Sequence, residues 1–190
     1  MSLNELMAVV SPPQNPIEIG NESQMAAIEE KLGTRLPDDY RAFAGKFGTG
    51  RFNDLDRVCI EVLNPFAPNY FVTLDYMCKT LRESLEIDAR RTPVLYNAFP
   101  TKPGLLPWGQ DDNGCTMLVE GPPNDWPIIV NPPRYSEYQQ FPLSMTAFLT
   151  KAFTRQLTCI LWDDPEFFSG PTPVVFQPTT QLHRIVLERS

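Results

Sequence analysis

Apolar residues recur at helical spacing twice in quick succession near the start of the chain, and the positions around them carry matching start and stop signals. Met25, Ile28 and Leu32 keep one face, with Asn21 or Ser23 placed to cap the helix and Gly33 placed to end it. Pro37 opens a second helix with Asp38 and Asp39 in its first turn, where the helix dipole favours anions. Tyr40, Phe43, Ala44 and Phe47 form its apolar stripe, and Gly48 and Gly50 stop it. The pattern predicts two short helices folded back on each other across "LGTRLP".

Strand-like composition follows in "RVCIEVL", Arg57 to Leu63, which ends at Asn64 and Pro65. A third helix is expected from about Asp75 to Arg90, because Leu74, Met77, Cys78, Leu81 and Leu85 keep the helical period. The pattern then shortens. Between Pro93 and Phe141 nine prolines break the chain into strand-like runs, "PVLYNAF", "CTMLVE" and "WPIIV", with turn signals in "DDNG" and "EGPPND". A fourth helix is predicted with Ser144 as cap and Met145, Phe148, Leu149 and Ala152 on one face. Terminal strands are expected at "PVVFQ" and "HRIVLER".

Helices in front, strands behind and a helix closing the run predict an α+β fold rather than a βαβ alternation, with the proline-broken middle as an antiparallel meander. The simplest domain plan is an N-terminal arm over 1–20, a main domain over 21–158 and a C-terminal extension over 159–190 packed on the same domain.

Composition agrees with a packed core. The 190 residues are 42% hydrophobic and include 12 Phe and 3 Trp. The start of the chain lacks a basic region ahead of its short apolar run, and no run reaches the roughly 18 apolar residues of a membrane span. The chain therefore reads as soluble and cytoplasmic. Cys59, Cys78, Cys115 and Cys159 lie far apart with no CxxC pair, which suits buried, reduced thiols better than a disulfide framework or a metal site.

Charge adds a location. The net charge of -7 argues against nucleic acid or an anionic membrane as the main partner. Pro103 to Pro133 holds Asp111, Asp112, Glu120 and Asp125 with no base, and Gln156 to Leu182 holds Asp163, Asp164 and Glu166 with no base. Those acids account for the whole excess. Beside them stand aromatics read as exposable, Trp108 and Trp126 in the first segment and Trp162, Phe167 and Phe168 in the second. Aromatic anchors among acids mark candidate contact surfaces, since aromatics are enriched at interface cores.

Catalytic patterns fail by comparison. No nucleophile elbow, phosphate loop, dinucleotide loop or zinc-protease motif is present. The single histidine, His183, sits in an alternating run near the end, where its plain reading is a surface strand residue. Asp38 and Asp39 are adjacent on a helix and do not face each other, which disfavours a general acid/base pair. Asp111 and Asp112 do not follow the alternate spacing of a calcium loop, and the plain reading of "DDNG" is a polar hairpin turn. No metal or other cofactor is called for.

"IEEKLGTRLPDDYRAFAGKFGTG" resembles the N-terminal signature of the SUKH superfamily, in which a first helix ends in Leu-Gly, Leu-Pro opens the next, and an acidic-Tyr-basic run leads to a glycine. The matching positions are Ile28, Glu29, Leu32, Gly33, Leu36, Pro37, Asp39, Tyr40, Arg41, Phe43 and Gly50. "LLPWGQDDNGCTMLVE" is similar to a second signature and "SMTAFLTKAF" to a closing helix, so the resemblance runs from about Met25 to Phe153. The chain departs from it in the proline-rich "EGPPNDWP", and its last 35 or so residues have no counterpart.

The resemblance implies an α+β fold with a mixed or antiparallel sheet flanked by helices, and a non-enzymatic role, since bacterial members are mostly immunity proteins that neutralise a cognate polymorphic toxin, while fungal relatives are interaction proteins in cell-wall signalling. The expected partner is a protein toxin, for instance a nuclease with a basic cleft, met by Trp108, Asp111, Asp112, Glu120, Asp125, Trp126, Trp162, Asp163, Asp164 and Glu166. The alternative expectation is a general regulatory module that binds a host protein or peptide. A hydrolase using carboxylates and His183 ranks last.

Overall fold

The two N-terminal helices form where the spacing puts them. In this computed structural model, which describes residues 3–54, 57–90, 95–110, 115–130, 138–159 and 174–179, α1 spans Leu3–Val9, α2 Glu22–Leu32 and α3 Asp38–Phe47. Asn21 caps α2 in a reciprocal box: its side chain accepts from the Gln24 N–H at 3.0 Å, and the Gln24 side chain accepts from the Asn21 N–H at 2.9 Å. Gly33 ends the helix at φ 68, a left-handed conformation that glycine adopts without strain. The whole apolar stripe of α3 is buried, with Tyr40, Phe43 and Phe47 at 0% exposure.

The remaining elements are β1 (Gly50–Asp54), β2 (Arg57–Val62), α4 (Tyr70–Asp88), β3 (Gly104–Gln110), β4 (Cys115–Val119), a short 3-10 helix (Pro123–Asp125), β5 (Ile128–Val130), β6 (Gln139–Phe141), α5 (Met145–Phe153) and β7 (Val175–Pro178). The described strands form one seven-stranded sheet in the order β6-β5-β4-β3-β2-β1-β7, with every neighbouring pair antiparallel. This is the expected α+β class, with helices outside an antiparallel sheet.

Strand alternation sorts the side chains onto two faces. Leu106, Trp108, Met117 and Ile128 enter the main core with residues of α1, α3 and α5. On the opposite face Leu105 and Ile129 are fully buried under Leu81 of α4, Tyr96 and Tyr138. The first half of α4 also reaches the main core through Tyr70, Leu74 and Cys78.

Several elements differ from expectation. The segment ahead of Asn21 contributes a helix to the core: α1 packs on α5, with Leu6 at 0% and Val10 at 2% exposure. Helix α4 begins at Tyr70 rather than near Asp75, because Tyr70, Thr73 and Leu74 extend its buried stripe by a turn. The run "PVLYNAF" supplies, in its described part, a single bridge from Ala98 to Leu105. The central strand falls instead on "GLLPWGQ", where a register shift between Pro107 and Gly109 accommodates a residue that cannot donate to the ladder. Strand β7 pairs with β1 and brings Phe176 edge-on to Phe47 and Phe52, at ring separations of 5.1 and 5.0 Å. The expected strand "HRIVLER" lies outside the described residues.

Candidate functional site

The connection from β4 to β5 folds into a tight knob because its sequence leaves it little freedom. Gly121 takes φ 67, Pro122 sits at φ -62, and Pro123 opens the 3-10 turn. Asp125 and Trp126 donate their N–H groups to the carbonyls of Pro122 and Pro123 at 3.0 and 3.3 Å. The Trp126 ring turns inward, and its Nε1–H donates to the Gly121 carbonyl at 3.2 Å, so the indole closes the turn on itself. Glu120 and Asp125 are left exposed on either side.

Facing this knob is the entry to α5. The Ser144 hydroxyl oxygen accepts from the Ala147 N–H at 3.5 Å, and Leu143 donates its N–H to the Phe141 carbonyl at 2.8 Å. Between the two segments lies a groove of about 420 Å³. Its apolar lining is Trp126, Pro127, Pro142 and Leu143, and its acids are Glu120 and Asp125; no Lys or Arg is among the described lining residues. Two carboxylates beside an apolar lining suit a cationic side chain, whose aliphatic stem packs on the prolines while its head meets the acids.

Helix α3 supports both segments. Asn124 and Asp38 bond reciprocally, the Asp38 N–H donating to Asn124 Oδ1 and Asn124 Nδ2 donating to Asp38 Oδ2, each at 2.8 Å. Arg35 holds the other oxygen of Asp38 at 2.7 Å. Asp39 reaches α5, where its Oδ2 accepts from the Thr146 N–H at 2.8 Å and the Thr146 hydroxyl at 3.0 Å.

A SUKH family model described as SMI1-KNR4 cell-wall matches residues 22–149. The chain belongs to the SUKH superfamily. The matched span runs from the start of α2 into α5 and includes both segments that bound the groove. No curated protein and no solved structure matches the chain.

In this SUKH protein the anticipated contact residues separate into three groups. Glu120, Asp125 and Trp126 come together at the groove. Trp108 does not: it was expected as an exposable aromatic, yet it is 0% exposed at the centre of β3. Its Nε1–H donates to the Thr116 carbonyl at 3.1 Å and its ring stands edge-on to Phe148. Trp126 is likewise 3% exposed, so it supports the groove rather than projecting from it. Asp111, Asp112, Trp162, Asp163, Asp164 and Glu166 lie outside the described residues, as does His183.

Residues that the pattern did not single out complete the site. Pro142 and Leu143 line it, and Asn124 anchors it. The acids Asp38 and Asp39 were legible as first-turn helix residues, while their partners 86 and 107 positions away were not. Among the described residues, no group of three or more Asp, Glu, His or Cys residues could hold a metal ion, and no helix is long and apolar enough to cross a membrane.

Proposed function

We propose that this protein is a cytoplasmic, immunity-type SUKH protein that binds a cognate polymorphic toxin stoichiometrically and acts by occlusion rather than catalysis. What carries the reading is the groove, in which Glu120 and Asp125 stand beside an apolar lining with no base among its described residues. Such a surface suits a partner that presents a basic cleft, as a nuclease does, because charge complementarity steers the encounter and the apolar lining adds contact area. Asp111, Asp112, Trp162, Asp163, Asp164 and Glu166 stand in the same base-free stretches of sequence and are proposed as further contact residues. Family membership supports a protein-binding role.

The decisive experiment is co-expression with the product of the adjacent gene, scoring growth rescue and complex formation. Charge reversal at Glu120 and Asp125, alone and with Asp111, Asp112, Asp163 and Asp164, then lowers affinity by about tenfold or more and flattens its salt dependence. Unchanged affinity and salt slope in the reversed protein overturn the surface assignment.

The cell-wall description of the matching family favours a second reading, a regulatory module that binds a host protein through the same groove. It predicts capture of a host partner by the purified chain and no rescue from the neighbouring gene's product.

A further inference from the structure

We infer that Asp38 and Asp39 are positioning residues that jointly set the width of the groove, one holding each wall. The inference rests on the reading of that groove as the contact surface, and it assigns this chain's Leu36–Asp39 segment a role at a site far from it in sequence.

Consecutive residues on a helix point about 100° apart, so neighbouring carboxylates can reach different structures. Asp38 turns toward the 120–127 knob and makes the reciprocal pair with Asn124, both bonds at 2.8 Å. Asp39 turns toward α5 and accepts hydrogen bonds from both the N–H and the hydroxyl of Thr146, two residues past Ser144. The walls come from separate stretches of chain, Asn124–Pro127 and Pro142–Ser144. At the sheet they are tied by the pairing of Ile128 with Phe141. Beyond the sheet, described hydrogen bonds tie the Asn124 wall to α3 directly and the Pro142–Ser144 wall to α3 through Thr146, two residues further on. The helix is a suitable reference because Tyr40, Phe43 and Phe47 lock its other side into the core.

Arg35 and Arg41 orient Asp38. Arg35 Nη2 lies 2.7 Å and Arg41 Nη1 3.5 Å from Asp38 Oδ1, which leaves Oδ2 for Asn124. The pair therefore works as a spacer: α3 fixes the separation of the two carboxylates, and each carboxylate fixes one wall.

The test is amide hydrogen exchange on the full chain, read by NMR for D38A, N124A and D39A, with L81A as a control on the opposite face of the sheet. D38A and N124A accelerate exchange by about tenfold at the Trp126 indole and at the Asp125 and Trp126 amides, the equivalent of losing one or two ordinary hydrogen bonds. They leave the Ala147 and Phe148 amides unchanged, while D39A does the reverse. The D38A/N124A double variant exchanges no faster than N124A, which already removes both bonds, and D38N, which keeps an acceptor for Asn124, restores part of the protection lost in D38A. L81A changes exchange uniformly or near Leu105 and Ile129 only. A uniform response to D38A and D39A, or none at either wall, overturns the inference. Wall-specific exchange with unchanged affinity for the captured partner instead overturns the reading of the groove as the contact surface.

Discussion

Asp39 Oδ2 accepts two hydrogen bonds from Thr146, one from its N–H at 2.8 Å and one from its hydroxyl at 3.0 Å, across 107 residues of chain. A side chain from one helix thereby does for another what a local cap would do, satisfying an N-terminal amide that has no partner within α5. The bond joins the first family signature to the closing helix.

Replacing Asp39 by Ala leaves the buried Thr146 amide without its acceptor. The expected loss is about 1–2 kcal/mol of stability, comparable to removing a strong helix cap. T146V removes only the hydroxyl bond and costs less. Urea denaturation of both variants measures the two values, and equal losses would show that the backbone bond contributes nothing.

Two glycines with similar φ values have very different tolerance. Gly33, at φ 68, has nothing within 4 Å of an added Cβ, so G33A costs only the left-handed backbone, about 1–2 kcal/mol. Gly48, at φ 70 and ψ -154, would place a Cβ 2.1 Å from the Ile17 carbonyl oxygen. That contact is with backbone, and Thr49 next to it donates its N–H to the same oxygen at 3.0 Å. G48A is expected to lose more than about 3 kcal/mol. Thermal melting separates the two by many degrees.

Tyr40 and Tyr70 are both buried, yet only one hydroxyl is satisfied. Tyr40 donates to the Leu63 carbonyl, whereas the Tyr70 hydroxyl has no hydrogen-bond partner among the described residues. Y70F should therefore leave stability unchanged or raise it by about 1 kcal/mol, and Y40F should lower it by a similar amount. A Tm that falls equally in both would contradict the distinction.

Alkaline pH should destabilise the fold in a defined window. Burial pushes the Cys78 thiol from 9.0 up to about 11, with Arg82 opposing and Asp75 adding to the shift. Burial also raises Tyr40 and Tyr70 above the usual 10.0. In each case the unfolded chain releases its proton first, so stability is intact below pH 9 and falls as pH rises through the folded values. Denaturation curves at pH 8, 9, 10 and 11 test this, and C78A should flatten the fall between pH 9 and 11.

How legible the molecule was depended on how local its signals were. Asn21, Gly33, Pro37, Gly48 and Ser144 mark helix ends through backbone geometry, and all of them lie at or beside the observed boundaries. Strand β3 escapes a local reading because its evidence is nonlocal: Pro107 reads as a breaker, and only the register shift between Pro107 and Gly109 makes room for it. Helix α1 falls within the expected N-terminal arm, since its burial depends on α5, which lies far along the chain. At the site, the lack of bases around Glu120 and Asp125 was visible from composition. The inward turn of Trp126 was not, because it is fixed by a bond to Gly121 and by the dock of Asn124 on Asp38. Tryptophan beside acids looks the same in sequence whether its ring faces solvent or the core.

That ambiguity supplies a last prediction, which separates the core tryptophan from the surface acids. W108F removes a buried N–H bonded to the Thr116 carbonyl at 3.1 Å and leaves a gap against Phe148. The expected loss is about 1–3 kcal/mol, with partner affinity unchanged at temperatures where the variant stays folded. E120K and D125K should behave oppositely: both side chains are exposed, so Tm should hardly move while partner affinity falls. Measuring Tm and affinity on the same three variants decides the matter. Loss of affinity in folded W108F, with none in E120K or D125K, would move the contact surface away from the groove and toward the face of β3.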